Sequence, residues 1–71
     1  MVNVNKLKGK FVEKGYSTAQ ISEGTGINLA TLYRRLNNEE EFTIGEADTI
    51  VNFLNLNAEE ATSIFFSQFV A

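Results

Sequence analysis

The chain contains no cysteine, histidine, proline or tryptophan in its 71 residues. Without cysteine there is no disulfide framework, thiolate metal site or thiol nucleophile. Without histidine the commonest general base and the commonest zinc ligand are missing. Long apolar runs are absent as well. Ile64-Phe65-Phe66 is typical of what there is, against the roughly 20 apolar residues that span a bilayer. Lys6, Lys8 and Lys10 are not followed by an apolar stretch, so no secretory signal is expected. Glu39-Glu40-Glu41 is an adjacent acidic run rather than an opposed acid/base pair. Gly24-Thr25-Gly26 has neither the preceding strand nor the following lysine of a phosphate loop. The expectation is one soluble, non-enzymatic domain over 1–71, with no cofactor, metal, membrane or small-molecule substrate.

The net charge is −3, and it is unevenly distributed. Residues 1–38 hold all six basic groups (Lys6, Lys8, Lys10, Lys14, Arg34, Arg35) against Glu13 and Glu23, a balance of +4. Residues 39–71 hold seven acids and no basic group. Screening limits the reach of exposed charge to about 8 Å at physiological salt, so the local field matters more than the total. The expectation is a basic face and an acidic back.

Apolar residues recur at three and four rather than at two, which predicts an all-α fold of five helices. The first helix covers about 4–14, with Val4, Leu7 and Phe11 on one stripe, Val12 widening it and Gly15 as terminator. The second opens on Ser17, with Gln20 at capping-box spacing, and should end near Glu23 or Gly24. The third follows Asn28 and ends around Asn37. The fourth begins with the box Thr43–Glu46, Phe42 acting as a staple on Ala47, and buries Ala47, Ile50, Val51 and Leu54. The fifth repeats the device at Asn57–Glu60 and runs into Ile64 and the terminal aromatics.

The segment 17–37 carries the functional signal. Gly26 sits at a bend that needs a positive φ, Ile27 plugs the corner, and Leu32 and Leu36 anchor the third helix inward. Asn28, Ala30, Tyr33 and Arg34 then face outward, with Asn37 one turn further. A helix braced this way is shaped for the DNA major groove. Arg34 can fork to guanine or pair with a phosphate, Asn28 can bond a base edge or simply cap the helix, Ala30 can touch a thymine methyl, and Tyr33 can pack on the backbone. Leu29 belongs either to this reading face or to a core stripe with Leu32 and Leu36; the core assignment leads. Arg35 suits a phosphate or an ion pair with Glu39 at i+4. Phosphate candidates are Ser17 and Thr18 at a helix start, amides around Asn37 and Asn38, and Lys6 and Lys10 (with Lys14) along the first helix; a merely solvated lysine face remains open. The acidic run after the third helix should project away from DNA.

Phe65, Phe66 and Phe69 give the last helix apolar character on more than one side. One set completes the core and the other is a candidate dimer or partner contact.

These residues together resemble a family. The stretch 17–37 is similar to the helix-turn-helix of phage Cro and repressor proteins, the xenobiotic-response-element-type group. The block 42–60 with Ile64, Phe65 and Phe66 resembles the segment that follows the reading helix in small phage regulators. The resemblance implies operator binding as a homodimer, transcriptional control in a lysis–lysogeny switch, and the cytoplasm of a bacterial or phage-infected cell. By position it assigns base reading to Asn28, Leu29, Ala30, Tyr33 and Arg34. Thr18 stands where the family often has a phosphate-binding glutamine, and Ser22 where it usually has an alanine packed on the reading helix. A second reading keeps the scaffold but makes another regulator protein the main partner, as for a modulator or anti-repressor.

Overall fold

Five short helices follow one another in the computed structural model, which describes residues 2–66: α1 (Val4–Lys14), α2 (Thr18–Thr25), α3 (Leu29–Leu36), α4 (Ile44–Leu54) and α5 (Ala58–Phe65). Each helix start is built from a side chain that replaces the missing intrahelical acceptor. Asn3 caps α1 and Asn28 caps α3, while α2, α4 and α5 open on full capping boxes at Ser17–Gln20, Thr43–Glu46 and Asn57–Glu60. Left-handed residues close three of them: Gly15 after α1, Gly26 after α2 and Asn55 after α4. Helices of eight to eleven residues are marginal alone in water, so tertiary packing supplies most of their stability.

That packing centres on α4, which touches both α1 and α2, while α1 also meets α5 and α2 meets α3. Leu7, Ile21, Leu32, Ile50, Leu54 and Ile64 are sealed from solvent, one or more from each helix. The Asn3 N–H donates to the Ile64 carbonyl at 2.8 Å and ties the start of α1 to α5.

Several sequence expectations change here. Val12 does not widen the buried stripe; it is 79% exposed. Helix α2 continues through Gly24 to Thr25 before Gly26 ends it. Phe65 is a core residue rather than a partner contact, 4% exposed and edge-to-face with Phe42 at 5.7 Å. Phe66 points outward at 44% exposure. Phe69 lies outside the described residues.

Gly24 has a packing reason that periodicity does not reveal. A methyl there would run into the Cε1 and Cζ edge of Phe53, whose ring also packs on Tyr16 at 5.0 Å. Gly24→Ala is therefore expected to destabilise the fold by about 1–2 kcal/mol, since overpacking outweighs the gain in helix propensity. In a Phe53→Ala background the same change should become neutral or stabilising. Thermal melts of the four-member cycle check this, and a Gly24→Ala effect independent of residue 53 would refute the clash.

Candidate nucleic-acid interface

The interface begins with the connection between α2 and α3. Gly26 takes φ +78°, a left-handed conformation that strains any residue with a Cβ, and its N–H donates to the Ser22 carbonyl at 2.9 Å. Ser22 also reaches forward, its hydroxyl donating to the Ile27 carbonyl at 2.5 Å. The serine therefore closes the turn by a hydrogen bond where an alanine would only pack. Ile27 is half-buried against the core, as the plug reading expects. The Asn28 Oδ1 accepts from the amides of Ala30 at 3.0 Å and Thr31 at 3.2 Å. Its oxygen is thus committed to the cap, and the Nδ2 group is what it can offer a base.

Helix α3 divides cleanly. Leu32 and Leu36 face the core. On a helix, residues about 100° apart in sequence order then place Ala30 and Arg34 opposite them, with Tyr33 beside. Ala30, Tyr33 and Arg34 are exposed, as is Asn28 at the start of the face. Leu29, the first residue of the helix, keeps the core-side spacing with Leu32 and Leu36 but is 38% exposed, so it is open to a partner at the end of that stripe.

The Arg34 side chain is 46% exposed and already hydrogen bonded. Its Nε–H donates to Glu40 Oε1 at 2.8 Å and its Nη2 to Thr31 Oγ1 at 3.2 Å. Glu40 therefore does not project away; it turns back onto the reading face. Sequence spacing could not show this, because Arg34 and Glu40 are six apart and meet only through the left-handed turn at Asn38, φ +60°.

Arg35 departs from expectation. Its side chain is only 12% exposed and its ion pair is with Glu46 (Nε–Oε1 2.9 Å, Nη2–Oε2 3.2 Å) and Glu40 (3.2 Å), not with Glu39. A guanidinium clasped in this bidentate way locks α3 to the start of α4, and is not presented to a phosphate. The hydrogen bond from Arg35 is the main reason the Glu46 carboxyl titrates below its ordinary range; for Glu40 the main cause is Arg34, then the charge of Arg35.

The phosphate candidates separate into two groups. At the start of α2 the capping box engages the Ser17 and Gln20 amides, leaving the first-turn amide of Thr18 with the Ser17 and Thr18 hydroxyls to meet an anion. The amides of Asn37, Asn38 and Glu39 are instead taken by the carbonyls of Tyr33, Arg35 and Arg34 at 2.9, 3.2 and 3.0 Å. Only the exposed side chains of Asn37 and Asn38 remain for a backbone contact. Lys10 pairs with Glu60 and with Glu13 (2.9 Å), and Lys6 lines the same α1–α5 crevice beside Glu59 and Glu60. One lysine of α1, Lys10, thus pairs with an acid of α5. Folding pairs part of the basic half of the sequence with part of the acidic half, Lys10 with Glu60 and Arg34 and Arg35 with Glu40 and Glu46.

Acid should loosen these clasps. The Glu40, Glu46 and Glu60 carboxyls are all held below the ordinary range by their cationic partners. Their contribution is complete above the unfolded value of about 4.3 and is lost as pH falls through the lower folded values. The thermal midpoint is expected to be flat from about pH 7 to 5 and to drop below about pH 4. A midpoint unchanged down to about pH 2.5 would show that the pairs contribute nothing.

Two helices joined by a glycine turn, the second braced inward and open outward, constitute a helix-turn-helix, a class of DNA-binding domain. Over residues 6–65 the chain matches the Cro/C1-type HTH DNA-binding domain, and it belongs to that family. No curated protein and no solved structure matches it. Among the described residues no helix is long and apolar enough to cross a membrane.

Proposed function

We propose that this DNA-binding domain is a sequence-specific transcriptional regulator of the phage Cro/repressor type, which inserts α3 into the major groove of a two-fold operator. The observation that carries the reading is the exposed Arg34 guanidinium at the centre of an outward helix face whose opposite side is sealed by Leu32 and Leu36. A helix about 10–12 Å across matches the roughly 12 Å width of the groove. Arg34 reads a guanine, Ala30 and Leu29 meet thymine methyls, Asn28 offers its Nδ2, and Tyr33 packs on the backbone. Ser17 and Thr18 hold a flanking phosphate.

With Arg35 and Lys10 engaged inside the protein, few cations are left for phosphates and one subunit binds weakly. A homodimer on a palindromic site supplies the second half of the affinity. A shallow, mostly apolar groove of about 210 Å³ between α4 and α5 is the surface for it, lined by Ile44 (82% exposed), Val51 and Phe66 with Ala47, Ala61 and Phe65, and carrying one charged residue, Asp48. An isologous contact buries the same patch on both copies. Ile44→Glu is expected to leave the melting temperature within a few degrees while abolishing dimers in sedimentation and cooperative operator binding. Unchanged dimerisation would place the contact elsewhere.

The same groove, with Glu40 seated on Arg34, favours the second reading, a modulator that binds another regulator. A gel shift on duplexes selected from a randomised library, repeated over a salt series, separates the two. The DNA-binding reading predicts that log K falls linearly with log salt, with a slope of about −0.9 per phosphate contacted. No binding at low salt, with a stable complex on another regulator protein, would support the modulator.

A further inference from the structure

The ion pairs behind the reading helix form one connected series. Thr43 and Glu46 make the cap of α4, Glu46 clasps Arg35, Arg35 reaches Glu40, and Glu40 holds the Nε–H of Arg34. The Thr31 hydroxyl oxygen accepts from Nη2. A guanidinium has five N–H donors in a fixed plane and can address guanine O6 and N7 either edge-on through Nε and Nη2 or end-on through Nη1 and Nη2. With the Nε hydrogen on Glu40 and one Nη2 hydrogen on Thr31, the edge-on mode is closed, and both Nη1 hydrogens and the second of Nη2 are left to a base. Glu40 is balanced by two cations, and its carboxyl accordingly stays ionised below the ordinary range.

We propose that Glu40, anchored through Arg35 to the start of α4, is a positioning residue that closes the Nε edge of Arg34, leaves its remaining Nη hydrogens to the base and so confers guanine selectivity on α3. The proposal rests on the DNA-reading role of α3. Holding a long side chain in its docked orientation removes part of the ordering that binding otherwise requires, an effect of roughly three- to tenfold for one such side chain. Glu40 lies in the turn after α3 with about half its side chain in solvent, so its removal leaves the core intact.

The test is selection of bound duplexes from a randomised library by the full chain and by Glu40→Ala, Glu40→Gln and Arg34→Ala, with thermal melts confirming that each is folded. In the parent, one position should prefer guanine, and Arg34→Ala should abolish that preference. Glu40→Ala should still bind duplex but lose roughly three- to tenfold of the guanine preference. Glu40→Gln, whose amide oxygen accepts the same Nε–H without charge, should retain more of it. In ¹⁵N spectra the Arg34 Nε–H signal should be protected from exchange in the parent and the Gln variant and lose that protection in the Ala variant. Full guanine preference in Glu40→Ala would overturn the proposal. So would equal tightening on every duplex by both Glu40 variants with the preference intact, which would make the carboxylate a competitor of DNA. A parent that binds no duplex would defeat the DNA-reading role itself, a failure visible before any Glu40 variant is made.

Discussion

Leu32→Ala is expected to remove about 2–5 kcal/mol of stability, the range for truncating a sealed leucine, because the lost burial is joined by the cavity left behind. At roughly 0.05–0.15 kcal/mol per residue a chain of this size has only about 4–11 kcal/mol in total. The change therefore takes a large fraction of it and should lower the thermal midpoint by roughly 10–30 °C. Leu32 has no solvent exposure and lies on an eight-residue helix that has little stability of its own. Tyr33, its neighbour in sequence, is turned about 100° away and half-exposed. Tyr33→Ala should leave the midpoint nearly unchanged while weakening DNA binding. Circular-dichroism melts of the two variants check the division of α3 into an inner and an outer side; equal destabilisation would contradict it.

Arg34→Ala is expected to lower affinity for the selected operator by about 1–3 kcal/mol per half-site, roughly 5- to 150-fold, and to relax specificity at one base pair. A phosphate-contacting cation would behave differently: its loss would weaken all duplexes alike and reduce the salt slope by about one. Gel shifts on the operator and on a variant with that guanine replaced distinguish the roles. The parent should discriminate between the two duplexes and Arg34→Ala should not. The variant should melt close to the parent, because the side-chain hydrogen bonds of Arg34 go to Glu40 and Thr31, both outside the core.

How much of this was legible beforehand depends on the range of each interaction. The capping boxes at Ser17, Thr43 and Asn57 are local, each acting across three residues, and all three form with both reciprocal bonds. Gly15 and Gly26 announce left-handed backbone for the same reason. The inward stripe of α3 follows from the period of the helix. What local sequence does not encode depends on helix–helix approach. Gly24 has the low helix propensity of a terminator, yet it lies inside α2 and is the clearance for Phe53. Arg35 has a suitable acid four residues on but finds Glu46 eleven residues away, on another helix. Phe65 and Phe66 are adjacent and similar, and it is the packing of the assembled helices, Phe65 on Phe42 included, that decides which one is buried. The charge split along the chain was real, yet Lys10 and Glu60, fifty residues apart, cancel part of it on folding. A clue for Glu40 was present in Asn37-Asn38, since asparagine readily takes the left-handed turn that sends the chain back over the helix it has just left.

The most direct measurement is an NMR titration of the ¹⁵N-labelled chain with its selected operator duplex. The largest shifts are predicted at the amides of 28–34, at the start of α2 around Thr18, and at the Arg34 Nε–H. Perturbations confined to the α4–α5 groove, with α3 and Arg34 unmoved, would contradict the account.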